Sequence, residues 1–103
     1  MLLKDYPVVL PDYILTLEEL SPENCLFFDI ETTGLSWKTS HLYLLGAVFY
    51  ENETWIHRQW FCQKPGEEKE VLLAFSELLS TKKLLFHYNG TTFDVPYLMH
   101  KYT

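Results

Sequence analysis

Leu26-Phe27-Phe28-Asp29-Ile30-Glu31-Thr32-Thr33-Gly34-Leu35 is an apolar run broken by two carboxylates one residue apart. Cys25 to Ile30 is rich in aromatic and branched residues and too short for a typical helix, so it predicts a buried strand. Side chains alternate along a strand, which sets Asp29 and Glu31 on one face with backbones about 6.6 Å apart, a spacing a cation can bridge. Anions so close to an apolar core repel each other and lose water, which raises their pKa values unless a positive charge lies between them. A divalent metal is such a charge. Thr32-Thr33-Gly34 predicts a turn, in which Gly34 is free to take a positive φ and bring bare backbone near a ligand.

The 103 residues form one domain at most, able to bury about two-thirds of the surface of the unfolded chain. Hydrophobic residues are 48% and aromatics 17% of the chain, enough for a real core. No segment is long and apolar enough to span a membrane, and Met1 to Asp5 opens no signal-peptide pattern. The expectation is a cytoplasmic protein without a membrane partner. Cys25 and Cys62 sit in apolar runs without metal-ligand spacing and read as buried thiols in a reducing compartment. Eight basic against fourteen acidic residues give a net charge of -6, the wrong sign for holding nucleic acid by neutralising phosphates. Metal ions would have to supply much of that attraction. Lys82-Lys83 reads as a complement to the negative end of a helix.

Residues 1–23, with Pro7, Pro11 and Pro22, show little period and read as an extended lead-in packing Tyr6, Val8, Val9, Tyr13 and Ile14 on the domain, which occupies 24–103. Thr16 to Glu19 matches a capping box and predicts one helical turn. Ser36 to His41 reads as a loop. Tyr43 to Tyr50 is a second strand, expected to be buried on both faces. Glu51 to Thr54 is a turn, and Trp55 to Cys62 a third strand, read as an outer one with His57 and Arg58 exposed. These three strands predict an antiparallel meander. Pro65-Gly66 breaks the chain before a helix over Glu67 to Ser80 with Val71, Leu72, Phe75, Leu78 and Leu79 on one stripe. Leu84 to Tyr88 is a fourth strand, and a right-handed helical crossover sets it parallel to the first and beside it.

Asn89-Gly90-Thr91-Thr92-Phe93-Asp94 leaves that strand, and Val95-Pro96-Tyr97-Leu98 starts a second helix. Two readings of Asp94 compete: a helix cap and a third ligand. Taken by itself Asp94 reads as the cap; set over the face of Asp29 and Glu31, with no basic residue near it in sequence, it reads as the ligand. The two motifs together resemble the first two motifs of the DEDD superfamily of 3′ to 5′ exonucleases, on the RNase H-like fold. His87-Tyr88-Asn89-Gly90 and Phe93 to Leu98 are most similar to a bacterial branch of uncharacterised exonuclease domains related to the proofreading domain of family B polymerases. The resemblance covers about residues 24–103 and implies an α/β, three-layer architecture. It also implies a DNA or RNA 3′ end as substrate and two Mg²⁺ or Mn²⁺ ions bound by Asp29, which bridges them, with Glu31 and Asp94. By the same resemblance Thr32, Thr33, Gly34, Leu35 and Phe93 would contact the terminal nucleotide, and Asn89 would order the second motif's loop.

The family's third motif, a Tyr or His followed by a fourth carboxylate, is missing: no Asp or Glu follows Asp94, and the sequence ends at Thr103. The expectation is therefore a truncated RNase H-like domain with an incomplete second metal site, itself inactive. The alternative is a non-catalytic module of the same fold that binds nucleic acid or protein. Truncation would leave the apolar edge of the fourth strand open to self-association.

Overall fold

In the computed structural model, which describes residues 1–9, 21–87 and 94–102, five strands of the described chain form one sheet. They are β1 (Leu2–Val8), β2 (Cys25–Thr32), β3 (Leu42–Glu51), β4 (Thr54–Phe61) and β5 (Leu84–His87), with helices α1 (Glu68–Leu79) and α2 (Val95–Tyr102). The spatial order is β1-β4-β3-β2-β5. β2, β3 and β4 make the expected antiparallel meander, and β5 runs parallel to β2 with Cys25 opposite Leu84 and Phe28 opposite His87. This is the α/β, RNase H-like topology that the motifs imply. The capping box at Thr16 and the loop residues Asn89 and Phe93 lie outside the described residues.

Alternation along β2 buries Leu26, Phe28 and Ile30 and turns Asp29 and Glu31 to the opposite, exposed side. The same alternation corrects the expectation for β3. Leu45, Ala47 and Phe49 are buried, whereas Leu44, Gly46, Val48 and Tyr50 are half-buried on a face that neither helix covers. There Trp55 meets Phe27 and Tyr50 edge-on, at ring separations of 6.1 and 5.3 Å. Asn52 and Glu53, with φ of 51° and 63°, form the β3–β4 hairpin, whose two-residue loop requires left-handed backbone to match the strand twist.

Two further expectations change. The lead-in is in part a strand: β1 pairs antiparallel with β4 over its whole length, and Pro7 is tolerated because it lies on an edge. Val9 is 98% exposed and packs on nothing. β4 is therefore an interior strand. Its Arg58 makes a bidentate pair with Asp5 at 2.8 and 2.9 Å and lies over the rings of Phe49 and Trp60. The guanidinium holds the Asp5 carboxyl below its ordinary range.

A short turn at Pro65–Glu67 leads into α1, whose Val71, Leu72 and Phe75 enter one core with Leu26, Phe28, Ile30, Trp60 and the α2 residues Tyr97 and Leu98. Lys82 lies just past the end of α1, its amide donating to the Leu79 carbonyl at 3.0 Å, while its Nζ donates to the Glu23 carbonyl at 2.8 Å and lies over Phe49. Cys25 and Cys62 are free thiols, and burial raises both, Cys62 to about 11. No helix of the described residues is long and apolar enough to cross a membrane.

Phe75 is the centre of this packing, 1% exposed and 5.5 Å from the ring of Phe28. Phe75→Ala should lower unfolding free energy by about 3–5 kcal/mol, the cost of a cavity left by a large aromatic. Urea denaturation measures it, and a loss below about 1 kcal/mol would show that α1 packs elsewhere.

Candidate functional site

Parallel pairing of β2 with β5 brings the ends of both strands to one edge of the sheet, where Asp29 projects and α2 begins. Asp94, immediately before α2, is 3% exposed. Burial is the main reason its pKa is pushed up to about 6, and the Asp29 carboxyl beside it adds to this by a shared hydrogen bond and by like charge. The Ile30 amide acts in the opposite sense. Asp94 Oδ2 is buried without a hydrogen-bond partner. A buried acceptor left unpaired costs about 1–3 kcal/mol or more when charged, so the site is incomplete as a purely internal arrangement. Across the ladder from Asp29 stands Gly46, where a Cβ would come within 3.3 Å of His57 Nε2. The smallest residue thus leaves room beside the Asp29 strand position.

Glu31 is placed differently from Asp94. Its Oε2 accepts a 2.7 Å hydrogen bond from the Tyr43 hydroxyl, which raises the Tyr43 pKa. The described residues contain no group of three His, Cys, Asp or Glu side chains that could hold a metal ion. Asp29, Glu31 and Asp94 therefore share one end of the sheet without closing into one cage. Tyr43 reaches Glu31 because β3 has one residue too many here: Glu31 pairs with Leu44 but Thr32 with Leu42. A bulge of this kind re-aims a side chain. Nothing in the sequence pattern announces it.

The turn after β2 is fastened by its own polar groups. Thr32 Oγ1 donates to the Gly34 carbonyl at 2.7 Å, and Thr33 and His41 are tied by two bonds of 2.9 Å. Gly34 does not adopt a positive φ, against expectation. Its smallness matters for another reason, since a Cβ would lie 3.3 Å from that of Ser40. Leu35 is 87% exposed at the tip.

Ser40 is a residue the sequence did not single out. It is buried, donates to the Ser36 carbonyl at 2.6 Å and shares a 2.8 Å hydrogen bond with the Tyr97 hydroxyl. Lys101 donates to the Ser40 carbonyl at 3.0 Å and pairs with Glu68 at 3.2 Å, while Glu68 accepts from the Leu42 amide at 2.8 Å. Trp37 stacks on His100 with ring planes 2° apart. The loop that follows Asp29 is thus pinned to the helix that follows Asp94. Only the buried polar Ser within Thr39-Ser40-His41 could have hinted at it.

The oxygen donors of Asp29 and Asp94, one of them orphaned, fit a hard divalent cation better than a soft one. A family model for the RNase H superfamily matches residues 26–103. The chain belongs to that superfamily. It is also similar to the uncharacterized protein YprB of Bacillus subtilis (strain 168), 32% identical over 93 residues, which are 88% of this chain and 22% of that protein. The chain thus spans about a fifth of its relative's length. No solved structure gives a significant match.

Because the folded RNase H-superfamily chain binds a proton at Asp94 more tightly than the unfolded chain, this residue contributes stability at low pH that is lost as pH rises through about 6. Asp94→Asn should accordingly be more stable than the wild type at pH 7 in the absence of metal, and the gap should close as pH falls toward about 4. Urea midpoints across that range measure it. A gap independent of pH would show that Asp94 titrates normally.

Proposed function

We propose that these residues carry part of the active site of a metal-dependent 3′ to 5′ exonuclease, hydrolysing the terminal phosphodiester of DNA or RNA. The observation that carries the reading is the unpaired, buried Asp94 Oδ2 beside the Asp29 carboxyl, two acids whose mutual repulsion a cation would relieve. Asp29 and Asp94 would hold Mg²⁺ or Mn²⁺, with Glu31 as a further ligand and a second ion incompletely served by this chain. Bound there, such ions would polarise the scissile phosphate and lower the pKa of an attacking water. The protein's own part is to fix the two acids on a strand end and a helix start, and to exclude water from Asp94. The backbone of Thr32 to Gly34 and the exposed Leu35 side chain are suited to seat a terminal nucleotide. Asn89 and Phe93 are proposed to order and line the same place. With a net charge of -6, attraction for phosphate would depend on the bound cations.

Glu31 bonded to Tyr43 rather than joined to the other two acids favours a second reading, a non-catalytic module that binds nucleic acid or protein.

The test is a nuclease assay on the product of the full reading frame with 3′-labelled and 5′-labelled oligonucleotides. Cleavage from the 3′ end should require Mg²⁺ or Mn²⁺. Asp29→Ala and Asp94→Ala should each lower the rate by more than about a hundredfold, beyond what loss of an outer-shell partner costs, without loss of folding. Cleavage insensitive to both substitutions would refute the assignment, and no cleavage by the intact protein would favour the module.

A further inference from the structure

Tyr43 stands where a regular strand would not put it. Its parity along β3 is that of Leu45, Ala47 and Phe49, all buried under the helices, yet it is 40% exposed and its hydroxyl lies 2.7 Å from Glu31 Oε2. The extra residue between the Glu31–Leu44 and Thr32–Leu42 pairs is what turns it over. Glu31 has two possible neighbours from its place on β2. One is the Asp29 and Asp94 pair, already crowded with like charge; the other is a hydroxyl that donates. Without a cation the hydroxyl is the better partner, because a third anion beside two others is repelled whereas a donor to a carboxylate is attracted. The observed geometry follows that preference: Glu31 is with Tyr43, and the three acids form no group able to hold a metal ion.

We propose that Tyr43 is a positioning residue, a latch that holds Glu31 away from Asp29 and Asp94 in the metal-free protein, so that Glu31 completes the site only by exchanging the hydroxyl for a divalent cation. This deepens the metal-site reading above and rests on it. The latch keeps a third carboxylate from adding its charge to an empty site, at the expense of weaker metal binding. It also makes occupancy of the site visible at a side chain outside it.

The probe is Mn²⁺ alone, followed by electron paramagnetic resonance on the 103-residue chain. Tyr43→Phe removes only the hydroxyl of an exposed ring and should bind Mn²⁺ about three- to tenfold more tightly than the wild type, the range of one net hydrogen bond to a charged partner. In a Glu31→Gln background the same substitution should change nothing. Addition of Mg²⁺ to the wild type should also give a tyrosine ultraviolet difference spectrum that Tyr43→Phe lacks, a signal that a merely structural tyrosine would not produce. Equal or weaker Mn²⁺ binding by Tyr43→Phe, with the wild type binding normally, overturns the latch and leaves the metal-site reading standing. Absence of Mn²⁺ binding by the wild type and by Tyr43→Phe overturns both.

Discussion

Asp29 and Asp94 are forced together by the parallel pairing of β2 with β5, and much of the surrounding structure keeps them so. Neither acid would choose the other's company in water. Asp29 is committed to its position by the buried neighbours Phe28 and Ile30, which no one-residue slip of β2 could keep in the core. Asp94 is committed by Tyr97 and Leu98, three and four residues on, which anchor α2 in the same core. Apolar packing thus holds two like charges at one place, and the strain appears as a carboxyl pushed up to about 6 and an oxygen without a partner. Strain of this kind is characteristic of ligand sites, where the missing partner is what the site binds.

The loop over Thr33 to His41 is the second part of the arrangement. Tyr97 and Lys101 of α2 bond Ser40 at 2.8 and 3.0 Å, while Glu68 of α1 pairs with Lys101 at 3.2 Å and accepts from the amide of Leu42, next to the loop, at 2.8 Å. A site built on a strand end, a pinned loop and a helix start is held more rigidly than one built on loops alone. Leu35 remains exposed at the tip of this otherwise fastened segment. Such an arrangement suits a recognition element on a fixed base.

The meander, α1 and the parallel β5 were legible in the sequence because each has a strong period and clear turn signals. Val71, Leu72 and Phe75 fall on one helical face, and Asn52-Glu53 interrupts two apolar runs. β1 was not legible as a strand, for a physical reason. It is held by backbone bonds to β4 while all but its last side chain are exposed, so no alternation marks it. That unseen strand also moved Arg58 from the edge to the interior. At the site, the nearness of Asp94 to Asp29 was legible only by setting the helix start over the face of the Asp29 strand, since Asp94 taken by itself reads as a cap. The Tyr43 contact with Glu31 was not legible, because it depends on a one-residue bulge in pairing. Gly34 was read for its backbone freedom, but what it supplies is space beside Ser40.

The central claim is that burial and the neighbouring Asp29 make Asp94 hold its proton up to about pH 6, and that a cation takes the proton's place. The most direct measurement is the titration of the Asp94 carboxyl carbon by nuclear magnetic resonance, with and without saturating Mg²⁺. The account predicts a midpoint of about 6 without metal. With Mg²⁺ it predicts a carboxylate that stays ionised well below that pH. A midpoint near the ordinary 3.8, unmoved by Mg²⁺, would contradict it.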